Sequence, residues 1–80
     1  MPDTIRSPRQ QRLVERVTEA RKQAGLTQLT VARRLGRHQP FVANIETGQR
    51  RVDLVELIEL AEIIGLDLHS LIEELVAITD

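Results

Sequence analysis

Eighty residues carry 11 basic and 12 acidic side chains, a net charge of -1, and no cysteine. A chain this short builds one domain around one modest core, and without cysteine it has neither disulfides nor thiolate zinc ligands. No apolar run reaches the ~18 residues of a membrane span, and the amino-terminal MPDTIRSPRQQR lacks the apolar stretch of a secretory signal, so a cytoplasmic protein without membrane contact is expected.

In chain order, residues 1–6 read as a flexible arm ahead of a single domain over 7–80. Ser7, Pro8 and Gln10 have the order of an N-cap, a first helical residue and a capping-box partner. Leu13, Val14, Val17, Ala20 and Ala24 recur at helical spacing, which predicts a first helix over 8–24 that Gly25 ends. Thr27 can cap a second helix over Gln28–Leu35 by accepting from its first free amides. Gly36 stands just past the last apolar residue, where it can take the left-handed conformation and turn the chain sharply. A third helix is predicted over 39–47, with Pro40 in the first turn, where a missing amide costs little, and Gly48 behind it. Asp53 and Glu56 form a second cap and box, opening a fourth helix over Leu54–Ile64. Its acids Glu56, Glu59 and Glu62 lie within about a third of the circumference, so the apolar remainder predicts a nearly surrounded, central helix. Gly65 stops it, and Asp67 caps a fifth helix to about residue 78. The fold class is all-α, with no internal repeat or low-complexity tract.

Residues 26–51, LTQLTVARRLGRHQPFVANIETGQRR, hold the most informative pattern. Two short helices across a tight turn are expected, with the small Ala32 where they cross and Val31, Leu35, Val42 and Ile45 pointing inward. Arg37, His38, Gln39, Asn44, Gln49, Arg50 and Arg51 remain outside. The third helix can enter the ~12 Å major groove of DNA while the second crosses the backbone above it.

From Val14 to Leu71 the chain resembles the lambda-repressor-like (Cro/repressor, xenobiotic-response-element type) helix-turn-helix family. The resemblance rests on Gln28, Ala32, Gly36, Val42 and Ile45, on Arg21 four residues before Gly25, on the pair Ile45 and Glu46, on Gly48, and on the run DLVELIELAEIIGLDLHSLI. It implies a compact five-helix DNA-binding domain. It also implies that Gln39 reads a base, that Gln28 clamps a phosphate with the help of a helix N-terminus, and that Arg21 and Glu46 form a structural ion pair. Three positions depart from the pattern: His38 stands where serine or threonine is the usual cap, Pro40 where a polar side chain often meets DNA, and Ala43 where serine is frequent.

The remaining assignments follow from chemistry and position. Gln39 can bond adenine N6 and N7 bidentately, and Asn44, one turn on, has the same donor and acceptor groups. Arg37 and His38 reach guanine or phosphate, and Pro40 is left a van der Waals contact with a thymine methyl. Gln49, Arg50 and Arg51, after the third helix, are expected at phosphates. Phe41, the one aromatic residue, has two readings: packing between helices two and three, or lying against sugar and thymine methyl at the interface, among the phosphate contacts. Leu29 is either an exposed anomaly or a small contact surface.

Charge supports a DNA partner. Residues 1–51 hold all 11 basic side chains and four acids (Asp3, Glu15, Glu19, Glu46), giving +7, whereas residues 52–80 hold eight acids and no base, giving -8. A basic half that contains the motif is the footprint phosphate binding requires. Lys22, Arg9, Arg12 and Arg16 either add long-range attraction or form a solvated face.

Helix five carries Leu68, Leu71, Ile72, Leu75, Val76 and Ile78, a stripe wider than one contact with the core needs. Leu68, Ile72, Leu75, Val76 and Ile78 are therefore the expected interface of a homodimer, which suits a module offering about 600 to 1,000 Å² to DNA.

Catalysis is unsupported. There is no cysteine or tyrosine nucleophile and no glycine-rich phosphate loop, and the only serines are Ser7 at a cap and Ser70 in a helix. His38 and His69 are single and in separate elements, so no metal and no cofactor is expected. The function expected is a sequence-specific transcriptional regulator, a dimeric repressor or autoregulator reading an inverted repeat in double-stranded DNA. The alternative is a protein-interaction module such as an antitoxin or a transcriptional bridging factor.

Overall fold

Capping side chains set most of the helix starts. In the computed structural model, which describes residues 7–79, five helices follow in order: α1 (Pro8–Gln23), α2 (Gln28–Leu35), α3 (Gln39–Glu46), α4 (Leu54–Ile64) and α5 (Leu68–Ala77). The arm expected over 1–6, and Asp80 at the end of the expected domain, lie outside the described residues. The Ser7 hydroxyl accepts from the Gln10 amide, Thr27 from Thr30 and Asp67 from Ser70, each satisfying an orphan donor of a first turn. Asp53 and Glu56 make a reciprocal capping box at α4. His38 caps α3 without any side-chain bond, as the departure from serine or threonine implies.

The turn between α2 and α3 needs a left-handed residue, and Gly36 supplies it at φ 71°. The Gly36 amide then donates back to Arg33 and the Arg37 amide to Ala32, closing the last carbonyls of α2. A Cβ at position 36 would meet nothing within 4 Å, so the cost of alanine there is backbone strain and not a clash.

The core gathers one face from every helix: Val17 of α1, Val31 and Ala32 of α2, Val42 and Ile45 of α3, Leu57, Leu60, Ala61 and Ile64 of α4, and Leu71 of α5. Ala32 is fully buried in the core that α2 helps build, and interiors packed this densely resist a larger side chain. Each fully buried side chain such as Ile45, Leu60 or Leu71 contributes about 1.5 to 3 kcal/mol.

Helix α4 corrects the expectation of a nearly surrounded element. Leu57, Leu60, Ala61 and Ile64 face the core, but Leu54, Val55 (66% exposed) and Ile58 stand in solvent. The inner face of α4 meets α1 and α2, while α5 turns back onto α1 and leaves the outer face of α4 uncovered within one chain. On α5 itself, Leu68 and Leu75 pack against the core and Ile78 is half-buried, so only Ile72 and Val76 (68% exposed) of the five expected interface residues project outward.

The charge split also has a role inside the fold. Arg9 donates from Nε to the carbonyls of Leu75 (3.0 Å) and Ile78 (2.9 Å), at the negative end of the α5 dipole. Arg12 bonds the Glu74 carboxylate, and Arg16 Nη1 reaches its other oxygen at 2.6 Å. Those hydrogen bonds, Arg12 foremost, hold the Glu74 carboxyl below its usual range. Arg9, Arg12 and Arg16 thus belong neither to a merely solvated face nor to free steering charge: they latch α5 onto α1.

Candidate nucleic-acid interface

Helix α3 presents its first turn outward, with His38, Gln39 and Pro40 all exposed. Behind it, four side chains from three helices form a polar relay. Arg21 of α1 donates from Nε to Glu46 Oε2 (2.6 Å), from Nη2 to Glu46 Oε1 (3.0 Å) and from Nη1 to the Leu26 carbonyl (2.8 Å). Gln28, first residue of α2, donates from Nε2 to Glu46 Oε1 (3.0 Å), and Gln39 Nε2 donates to Gln28 Oε1 (2.9 Å).

The polarity of this relay is forced. An ionised carboxylate only accepts, so Gln28 must turn its NH₂ toward Glu46 and its oxygen toward Gln39. Gln39 must in turn give one N–H to Gln28, which leaves its Oε1 and its second N–H for another partner. Adenine asks for that combination, an acceptor for N6–H and a donor for N7. The pair at the root of the relay is nearly dry, Arg21 keeping 12% of its side-chain exposure and Glu46 7%, and the Glu46 hydrogen bonds hold the Arg21 guanidinium above its ordinary value.

A second cluster lies beyond the α3 C-terminus. Glu56, 12% exposed, accepts from Arg50 Nη1 (3.1 Å) and Nη2 (3.0 Å), from Arg37 Nη2 (3.3 Å) and from the Asp53 amide (3.0 Å). Arg50, then the Asp53 amide, hold the Glu56 carboxyl below its usual range. Both guanidiniums stack on Phe41, 4.6 Å (Arg37) and 4.4 Å (Arg50) from the ring centroid. Phe41 is half-buried and packed against the core as well, so of its two expected readings the structure shows packing. Its ring also carries the guanidiniums of Arg37 and Arg50.

The other expected contacts are dispersed. Gln49 and Arg51 are exposed, and the Arg51 carbonyl accepts from Arg50 Nη1 at 2.7 Å. Asn44 is half-buried, and its carbonyl accepts from the amides of Gln49 (2.9 Å) and Arg50 (3.1 Å) and from the Thr47 hydroxyl (3.2 Å), which fixes the turn carrying both residues. Leu29 is exposed beside the relay. Glu56 is the residue sequence reasoning undervalued: it was legible as half of a capping box, but nothing in its spacing points to Arg37 or to Phe41.

A family model described as helix-turn-helix matches residues 17–71. The chain belongs to that family, the Cro/C1 or lambda-repressor-like helix-turn-helix proteins, as its all-α five-helix domain and its α2–turn–α3 unit indicate. Membership brings DNA binding with it, in a family that is typically non-enzymatic. No curated protein gives a match to the sequence. Among the described residues, no helix is long and apolar enough to cross a membrane, and no group of three or more His, Asp or Glu side chains is placed to hold a metal ion.

Proposed function

We propose that this protein is a sequence-specific transcriptional regulator of the cytoplasm, a dimeric repressor or autoregulator that reads an inverted-repeat operator in the major groove. The observation that carries this reading is the Gln39–Gln28–Glu46–Arg21 relay, which presents one amide on the first turn of α3 with its donor and acceptor already oriented. In this reading Gln39 contacts the base, with Asn44, Arg37, His38 and Pro40 completing the groove contacts, while Gln28, Gln49, Arg50 and Arg51 position the phosphate backbone and Phe41 braces two of the arginines.

The dimer in this reading is supported by what one chain leaves uncovered. Ile72 and Val76 on α5, and Leu54, Val55 and Ile58 on α4, are large apolar side chains at helical spacing in solvent. A twofold pairing of such surfaces would present two copies of α3 to an inverted repeat whose half-site centres lie about one helical turn, or a multiple of it, apart.

Selection from random duplex DNA tests the reading, with sedimentation of the free and DNA-bound protein alongside. An enriched inverted repeat, bound by two copies, is the expected result. Absence of enrichment, with binding of every duplex vanishing between about 50 and 200 mM salt, would overturn it and make the helix-turn-helix a scaffold for protein contacts.

A further inference from the structure

Glu56 stands out in the electrostatics of the DNA-facing half. It is an ionised carboxylate placed against two of the arginines nearest the recognition helix, and it does not depend on them for its position. Its Oε1 accepts from the Asp53 amide at 3.0 Å, and Asp53 Oδ1 accepts from the Glu56 amide at 2.8 Å. The carboxylate is therefore pinned at the N-terminus of α4, where the helix dipole favours negative charge. Arg37 and Arg50 come to it from the turn before α3 and from the loop after it, and Phe41 between them offers each guanidinium the face of its ring.

We propose that Glu56 is a specificity-determining residue, which lowers the affinity of the chain for arbitrary DNA by withholding Arg37 from the groove and Arg50 from the phosphate backbone. The inference rests on the DNA-binding reading above. A phosphate that takes Arg50 from Glu56 exchanges one anion for another and leaves a nearly buried carboxylate without its partner beside a polyanion. On random sequence nothing offsets that exchange. Where Gln39 meets its base, the base contacts do, and Arg37 then adds its groove contact and Arg50 its phosphate bond. Glu56 thus turns a general electrostatic attraction into one conditional on readout.

Affinity for random duplex, measured by anisotropy across a salt series for the full chain and its variants, tests this. Glu56→Gln keeps an oxygen that can accept from the Asp53 amide, so the capping box survives. It is expected to bind random duplex about tenfold more tightly at about 100 mM salt, with a log–log salt slope steeper by about 0.9 for each guanidinium released. Glu62→Gln removes the same charge from an exposed site on the same helix, and is expected to change affinity by less than about twofold with an unchanged slope. Adding Arg50→Gln to Glu56→Gln is expected to remove most of the gain. Glu56→Asp, one methylene shorter, keeps the charge but loses its reach to Arg50, and is expected to steepen the slope by a smaller amount even if the glutamine variant folds poorly. A Glu56→Gln protein no tighter than Glu62→Gln, or an unchanged slope in both Glu56 variants, would overturn the proposal. Failure of the wild-type chain to bind any duplex at about 50 mM salt would overturn the DNA reading itself, a separate outcome because it is read from wild type alone.

Discussion

Arginine meets glutamate on both sides of α1, with different consequences. At Arg21–Glu46 the side chains are almost dry, and the carboxylate also orders Gln28 and, through it, Gln39. At Arg12 and Arg16 with Glu74, all three side chains keep between a fifth and about a third of their exposure and hold only α5 to α1. Water screens the second group and barely reaches the first. One ion-pair chemistry therefore serves as a buried root for the exposed Gln39 side chain in one place and as a solvated latch in the other.

The largest effect that would break this contrast is at Arg21. Arg21→Met strands the Glu46 carboxylate in a nearly dry site and is expected to cost about 3 to 5 kcal/mol. Urea unfolding followed by circular dichroism measures it, since the chain has no tryptophan to report. A loss under about 1 kcal/mol would show that the pair is as well hydrated as the Glu74 latch. Converting both residues, Arg21→Met with Glu46→Leu, is expected to recover much of the loss in stability but none of the base preference, because Gln28 then has no carboxylate to fix its orientation.

Next in size is Gln39→Ala, which should reduce discrimination at one operator base pair by about 1 to 3 kcal/mol while leaving affinity for random duplex nearly unchanged. Competition assays against single-base operator variants read this directly. An equal loss on every sequence would place Gln39 at the backbone and not at a base.

The smallest effect belongs to Glu74. Because its folded-state value is lowered, first by the Arg12 hydrogen bond, its contribution to stability is complete above the ordinary glutamate value of about 4.3 and is lost as pH falls below that through the lowered value. Glu56, lowered chiefly by Arg50, adds a contribution of the same sign in the same window. Wild type should lose stability below about pH 4 more steeply than Glu74→Gln, and added salt at neutral pH should narrow the gap between them. Parallel acid profiles for the two proteins would show that the latch does not hold α5 in solution.

Legibility in the amino-acid order fell off with distance along the chain. Thr27, Gly36, Asp53 with Glu56, and Asp67 act within three or four residues of themselves, and the helices they delimit appear where those signals stand. Phe41 carried two readings because a lone aromatic on a short helix does not reveal what approaches its faces. The basic half suggested a phosphate footprint, yet five of its arginines, Arg9, Arg12, Arg16, Arg37 and Arg50, bond to the acidic half of the same chain. Arg16 and Glu74 are 58 positions apart, a separation at which neither periodicity nor charge counting pairs one residue with another.

Five helices, their caps and the helix-turn-helix follow from the order of residues alone, because hydrogen bonds to a first turn and a 3.6-residue apolar period are local properties of a chain. Which apolar faces are covered, and which cations remain available, came only with the packing of those helices. Leu54, Val55 and Ile58 read like core until α5 packed against α1 instead of over them. Arg50 read like a free phosphate contact until Glu56 was brought to it. Burial and pairing depend on what the rest of the chain places nearby, and no local signal carries that information.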